Sequence, residues 1–308
     1  MITSAQQLQI IQRISGFTQE KLAQELGVSF VTLNSWRRER SMPRAKSQAR
    51  IEALYRDYTG QKIIPPDILH AKKQIIQLQR TSHPTVLKTI LRHPDIADQF
   101  MLSLTYNTNR IEGSSLTEPE TAAILFQGIA LPDKTIKEQM EVKNHQAALA
   151  YVWKMLEAHS VALNESFILK LHSMLMNSIL PDAGAYRQHG VRIVGANVPT
   201  ANFLKVPVLM KALVADIEKK PADTIGHLAN IHSRFEQIHP FSDGNGRIGR
   251  LLMVAMALQS NLAPPVILQK KKQFYYTYLA KSQHGEDASL LEDFICDAVL
   301  SGYDMLER

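Results

Sequence analysis

The chain of 308 residues has one cysteine, Cys296, and two tryptophans, and its longest apolar run is eight residues, 251–258 (LLMVAMAL). A single thiol can form neither an internal disulfide nor a Cys-based zinc site, so a reducing compartment fits and Cys296 reads as a buried, inert side chain. The apolar run is far below the roughly 18 to 20 residues that cross a bilayer. The start, MITSAQQLQIIQR, lacks a charged region followed by an apolar stretch. The expectation is a cytoplasmic chain with no membrane attachment. Internal repeats and low-complexity tracts are missing as well. What is present is 45% apolar and 21% charged residues, enough for one large or two ordinary folded domains and incompatible with disorder or a collagen-like fibre. Acidic residues are scarce at the start: residues 1–60 carry nine Lys/Arg against five Asp/Glu, which is +4 of the formal +6. That excess points to an anionic partner for the N-terminus.

Hydrophobic spacing divides the chain. Leu8, Ile11 and Ile14 recur at helical intervals, Gly16 breaks the pattern, and Leu22, Ala23 and Leu26 mark a second helix opened by Thr18 and stopped by Gly27. Ser29 suits the N-cap of a third helix, with Leu33 and Trp36 three apart and Arg37, Arg38 and Arg40 following before Pro43. The stretch 58–66 (YTGQKIIPP) interrupts the helical pattern. The division expected is therefore 1–60 as a small helical domain, 61–94 as a linker and connecting helix, and 95–308 as a larger helical domain. Within the last, 136–157 and 165–178 read as helices. Val191 and Ile193, with Gly184, Gly190 and Gly195 around them, suggest a short hairpin over 185–198.

A helix that enters a DNA groove about 12 Å wide needs a tight preceding turn and basic groups at its flank. Residues 18–43 meet that description. They also resemble the phage-repressor type of helix-turn-helix at Gln19-Glu20, Ala23, Gly27-Val28, Leu33, Trp36 and Pro43. The resemblance implies that Gln19, Phe30, Val31, Thr32 and Ser35 face bases or phosphate, with Arg37 and Arg38 on the phosphate flank. Phe30 and Val31 are apolar where many such readers are polar, which implies thin hydrogen-bond readout. A helical protein-interaction module is the other reading of the same residues.

The chemistry concentrates in 238–250 (IHPFSDGNGRIGR). Gly244, Asn245 and Gly246 can direct successive N–H groups into one hollow, and the helix that starts there adds its positive end, which together make an anion site. Arg247 and Arg250 lie on one face of its first turns. Two cations there are unfavourable by about 0.3 to 1 kcal/mol each unless an anion sits among them. Asp243 would oppose that anion unless it holds a cation, and Mg²⁺ is the hard ion that joins a carboxylate to phosphate oxygens. His239 titrates near neutral pH and could accept a proton from an attacking hydroxyl. A metal triad of His232, His239 and Asp243 has gaps that match no common single-helix ligand spacing.

The segment 239–250 resembles the signature of the Fic family, HPFxxGNGRxxR with an acidic residue before the glycines, and meets every defining position. Similarity extends over most of 95–305, including EVKNHQAA at 141–148, ILKLH at 168–172, GAYR at 184–187 and the tail around 276–294. The resemblance implies a mainly α fold: an all-helical Fic core with a short β-hairpin flap behind the helix-turn-helix domain. It implies transfer of AMP from ATP, the co-substrate, to a Ser, Thr or Tyr hydroxyl of a target protein or of the chain itself. His239 would be the general base, Asp243 the Mg²⁺ ligand, Gly244, Asn245 and Gly246 the anion hole, and Arg247 and Arg250 the phosphate clamps. Residues Tyr186, Arg187, Val191 and Ile193 would form a flap that holds a target segment by strand addition.

Gly113 would end a helix and place Glu112 in its last turn, where the dipole favours a cation and a partner arginine would help. Thr108, Glu112 and Gly113 resemble the inhibitory motif [S/T]xxxE[G/N] of Fic proteins, which implies that Glu112 pairs with Arg250 and blocks the γ-phosphate. Two other functions fit the same residues: a transcriptional regulator whose Fic domain senses nucleotide or a partner, and transfer of another nucleotide or a phosphocholine moiety. A homodimer fits both resemblances.

Overall fold

The computed structural model describes residues 2–158, 162–192, 198–285 and 287–307, and among these no strand occurs. Fifteen α-helices carry the described fold. The first four are α1 (Ser4–Ser15), α2 (Gln19–Leu26), α3 (Phe30–Arg37) and α4 (Ala45–Thr59). Thr3, Thr18 and Ser29 cap the first three by accepting an N–H of the first turn, a contact worth about 1 kcal/mol each, and Gly16, Gly27 and Gly60 end helices in the left-handed region. Leu8, Ile11, Leu22, Leu26, Leu33, Trp36, Ile51 and Tyr55 close a small core of their own.

There follow α5 (Pro66–Ser82), α6 (Val86–Arg92), α7 (Pro94–Ile111), α8 (Glu118–Ala122), α9 (Ile136–Glu157) and α10 (Glu165–Leu175). The chain ends with α11 (Val206–Ile217), α12 (Thr224–Ile238), α13 (Asn245–Gln259), α14 (Lys272–Gln283) and α15 (Ser289–Leu306). The connecting segment 61–94 is built into the larger body. Ile64, Ile76, Val86 and Ile90 are buried in the main core, and on α5 Lys72 pairs with Asp293 and Asp297 while Lys73 pairs with Asp223 and Glu292. The two cores meet where Tyr58 packs on Phe274, ring centroids 4.6 Å apart.

At the centre lies α13, whose residues from Ile248 through Leu258 are all buried. Helices α7, α9, α10 and α12 pack around it. That packing brings the C-terminal ends of α7 and α12 to the start of α13, so residues far apart in sequence meet there. No described helix is long and apolar enough to cross a membrane.

The expected hairpin over 185–198 falls in part outside the described residues, which omit 193–197. Ile193 lies outside the described residues, and the described flanks form no strand. Arg187 is 1% exposed and donates to the carbonyls of His239, His189, Ala201 and Ile238. Thr200 Oγ1 donates to the Val191 carbonyl at 2.8 Å, a side chain doing what a strand partner would do.

Candidate active site

His239 terminates α12 with φ 51°, a left-handed conformation uncommon for a non-glycine residue and one that local chain preference would not choose. The Arg187 guanidinium holds it there: Nε donates to the His239 carbonyl at 2.7 Å. The Glu236 carbonyl can only accept, so the His239 Nδ1 that lies 3.2 Å from it carries the proton. Burial, the largest influence, pulls the pKa of His239 below its ordinary value. The ring is therefore neutral at pH 7, and its Nε2 keeps a free lone pair.

The loop after His239 is locked at both ends. Asn245 Oδ1 accepts the Phe241 N–H and its Nδ2 donates to the Phe241 carbonyl, both at 2.9 Å. His172 stacks on Phe241 at 3.7 Å between centroids, accepts the Gly184 N–H at Nδ1 (2.8 Å), and so donates from Nε2 to the Asp243 carbonyl (3.1 Å). Gly244 sits at φ 80°, and a Cβ there would lie 2.8 Å from Met176 Sδ. Gly246 is also constrained, because a Cβ would collide with Glu112 Oε1. The first-turn N–H groups of α13 have no intrahelical acceptor and open on this spot.

Both signature arginines are buried, and each is met by a carboxylate of the chain. Arg247 lies 2.9 Å from Glu141 Oε1 and 3.6 Å from Asp243 Oδ1. Arg250 donates from its terminal nitrogen to Glu112 Oε1 at 2.5 Å and from Nε to Thr108 Oγ1 at 2.7 Å, with Tyr275 beneath the guanidinium. Burial would pull the pKa of Arg250 down, yet Glu112 with Tyr275 and Tyr276 more than offsets it, and the net shift is upward. Glu112 follows α7 directly and Gly113 turns the chain away at φ 106°. A side-chain anion thus lies on Arg250 and against Gly246, where the sequence called for an anion.

Asp243 is half-exposed, and its Oδ1 accepts the Gly244 N–H at 2.6 Å. His232 is not part of a metal triad: it is buried and its Nε2 meets Tyr275 Oη at 2.7 Å. Among the described residues, no three His, Cys, Asp or Glu side chains converge on a common ion position.

Residues to which the sequence assigned another role or none complete the site. Glu141 neutralises Arg247, Arg187 and His172 fix the loop, and the Thr105 hydroxyl meets His145, whose pKa burial pulls down to about 3. The segments 141–148, 168–172 and 184–187 contain four of these five. Glu236 is buried with Oε1 unpaired and crowded against Gly249, and burial pushes its pKa up to about 8. A carboxyl neutral in the native state and ionised when unfolded costs stability as pH rises from about 4.5 to about 8. Glu236→Gln should therefore raise the melting temperature near pH 8 and lose that advantage near pH 4.5. A gap that widens toward acid would refute the neutral carboxyl.

Of the flap residues, Tyr186 packs on Phe241 at 5.7 Å, Val191 is half-buried, and Arg187 points inward. In the N-terminal unit Phe30 and Val31 are 41% and 75% exposed at the start of α3. Thr32 and Ser35 hydroxyls meet those of Ser29 and Ser41, Gln19 and Arg37 are half-buried, and Arg38 is exposed.

Residues 162–257 match the family model described as Fic/DOC family. The chain is 33% identical over 184 residues to a protein of Nematostella vectensis named protein adenylyltransferase Fic, a match covering 59% of this chain and 43% of that protein. It spans about two fifths of the length of the curated relatives it matches. Among solved structures, a Fic family protein from Desulfovibrio desulfuricans G20 is 25% identical with a TM-score of 0.65, covering 79% of this chain and 74% of that one. Fic-1 (residues 134–508) from C. elegans is 21% identical with a TM-score of 0.67, covering 100% and 88%, a likeness of fold.

Proposed function

Taking as premise that this chain carries a Fic/DOC domain over residues 162–257, we propose that it is a protein adenylyltransferase held in check by its own Glu112. The observation that carries this reading is the Glu112 carboxylate seated on Arg250 and against Gly246. It is an internal anion at a helix start built for phosphate.

In the reaction, the ATP phosphates take the place of that carboxylate. The amides of the Gly244–Gly246 turn and the guanidinium of Arg250 hold phosphate oxygens, with Arg247 beside them. His239 Nε2 accepts the proton of a Ser, Thr or Tyr hydroxyl of the target as its oxygen bonds to the α-phosphorus and pyrophosphate departs. Positioned N–H groups and cations favour this step because they face charge that grows as the bond to pyrophosphate breaks. Asp243 would hold Mg²⁺; a half-exposed single carboxylate beside the phosphate site suits an ion that takes one or two carboxylates plus phosphate oxygens. When bound, that ion would neutralise charge on the phosphates. Tyr186, Val191 and Ile193 would border the target segment.

For the N-terminal unit we propose DNA binding. Exposed Phe30 and Val31 would lie along the groove with Thr32 and Ser35, flanked by Gln19, Arg37 and Arg38. The supporting observation is α2 and α3 joined by a three-residue turn through Gly27 and Ser29.

The test of the transfer is positional labelling. The Glu112→Gly protein incubated with Mg²⁺ and ATP should retain label from the α-phosphate and none from the γ-phosphate. Retention of γ-label would replace nucleotidyl transfer by phosphoryl transfer.

A further inference from the structure

Two carboxyl groups lie within electrostatic reach of Arg250, and one of them is not paired with it. Glu112 forms the ion pair from the end of α7. Glu236 comes from α12 and is 5% exposed. Its Oε1 has no hydrogen-bond partner, and a Cβ on Gly249, which precedes Arg250 on α13, would collide with that oxygen. A carboxyl so buried, with no ion pair of its own among the described residues, keeps its proton, because the ionised form has neither water nor a partner. Burial pushes its pKa up to about 8, Arg250 draws it down, and Glu112 raises it again. Glu112 thus takes up the positive charge that would otherwise ionise Glu236.

Among the described residues no other group around α12 is placed to answer the charge of Arg250. His232 on α12 and His145 on α9 are neutral, burial pulling both pKa values down to about 3. Tyr275 and Tyr276 on α14 keep their protons, since burial pushes both pKa values up. His239 is neutral, with Nδ1 turned to the Glu236 carbonyl. Glu141 and Asp243 face Arg247. The carboxylates of α11 and α15, which pack on α12, are engaged elsewhere: Asp216 with Lys219 and Arg234, Glu292 with Lys73, and Asp293 with Lys72.

We propose that Glu236 is a latent counter-ion of Arg250, protonated while Glu112 holds the guanidinium and ionised when Glu112 has left and no nucleotide has replaced it. In that step the Glu236 O–H bond breaks, the proton passes to solvent, and the electron pair stays on the carboxylate. When the ATP phosphates bring negative charge back to Arg250, Glu236 recovers a proton. Glu236 is a positioning residue: it acts through Arg250. It offsets the loss of Glu112 only in part, because it stands outside ion-pair distance of the guanidinium. By linkage, release of Glu112 from the empty site becomes easier as pH rises toward about 8. This inference rests on the reading that ATP displaces Glu112.

Calorimetry of ATP binding to the full chain with Mg²⁺ at pH 7, repeated in buffers of different ionisation enthalpy, counts the protons exchanged. The Glu112→Gly chain should take up roughly half a proton or more beyond the Glu112→Gly/Glu236→Gln chain, whereas wild type and Glu236→Gln should differ by less than about a fifth of a proton. Equal uptake by the two Glu112→Gly chains overturns the proposal. Greater uptake by Glu112→Gly than by wild type reads the same step without the double variant. Melting without nucleotide is a second readout. The gain in melting temperature that Glu236→Gln brings near pH 8 in the wild type should at least halve in the Glu112→Gly background. A gain of equal size in both backgrounds, as a merely structural role would give, also overturns the proposal. If ATP shifts the melting of wild type and Glu112→Gly equally, displacement of Glu112 fails, while the nucleotide-free comparison still decides whether Glu236 answers the charge on Arg250.

Discussion

On the proposed function, Glu112→Gly should raise the rate of AMP transfer by roughly thirty- to a hundredfold. Breaking a fully buried ion pair costs about 3 to 5 kcal/mol, but the Glu112 side chain is 30% exposed and screened. A value of about 2 to 3 kcal/mol is the appropriate scale, and each 1.4 kcal/mol is tenfold in the population able to accept phosphate. The same substitution leaves Arg250 buried with its charge uncompensated, so the variant should melt at a lower temperature than the wild type. Added ATP should restore that loss, because a ligand bound only by the folded state stabilises it by mass action and here replaces the missing carboxylate. Calorimetry with and without nucleotide separates the two effects. A variant no faster than wild type, with no larger thermal shift from ATP, would mean that Glu112 does not compete with phosphate.

His239→Ala, made in the Glu112→Gly background, should cut transfer by about a thousandfold, within the usual range for loss of a positioned general base, while ATP binding changes little. The proposed phosphate contacts belong to the α13 start and its arginines, and the loop is held by Asn245, His172 and Arg187 independently of the imidazole. The carbonyl at position 239 that Arg187 grips is main chain and survives the substitution. Because burial lowers the pKa of His239, the acidic limb of the kcat/KM profile should fall below the ordinary histidine value of 6.5. A limb at or above 6.5, or activity that persists in the alanine variant, would assign the proton to another group.

The helices were legible because their signals are local. Thr18, Ser29 and Gly27 mark ends by cap chemistry, and the expected bounds 136–157 coincide with α9. The cradle was legible for a related reason: glycines, arginines and a histidine in one stretch break the ordinary rules for a helix start together. The missing parts depend on distance. Glu141 reaches Arg247 from another helix, and Arg187 reaches residues about fifty positions away, so no spacing announces either contact. Val191 and Ile193, alternating β-branched residues between glycines, read as strand, and the described part of 185–198 forms none. The Val191 carbonyl is met by the Thr200 hydroxyl, a side-chain contact invisible to a period-two pattern.

The most direct measurement is intact-mass spectrometry of the Glu112→Gly and Glu112→Gly/His239→Ala proteins after incubation with ATP and Mg²⁺. The account predicts a population of the first that has gained one AMP and a second that stays at its starting mass. Equal adducts on both, or an added phosphate in place of AMP, would contradict it.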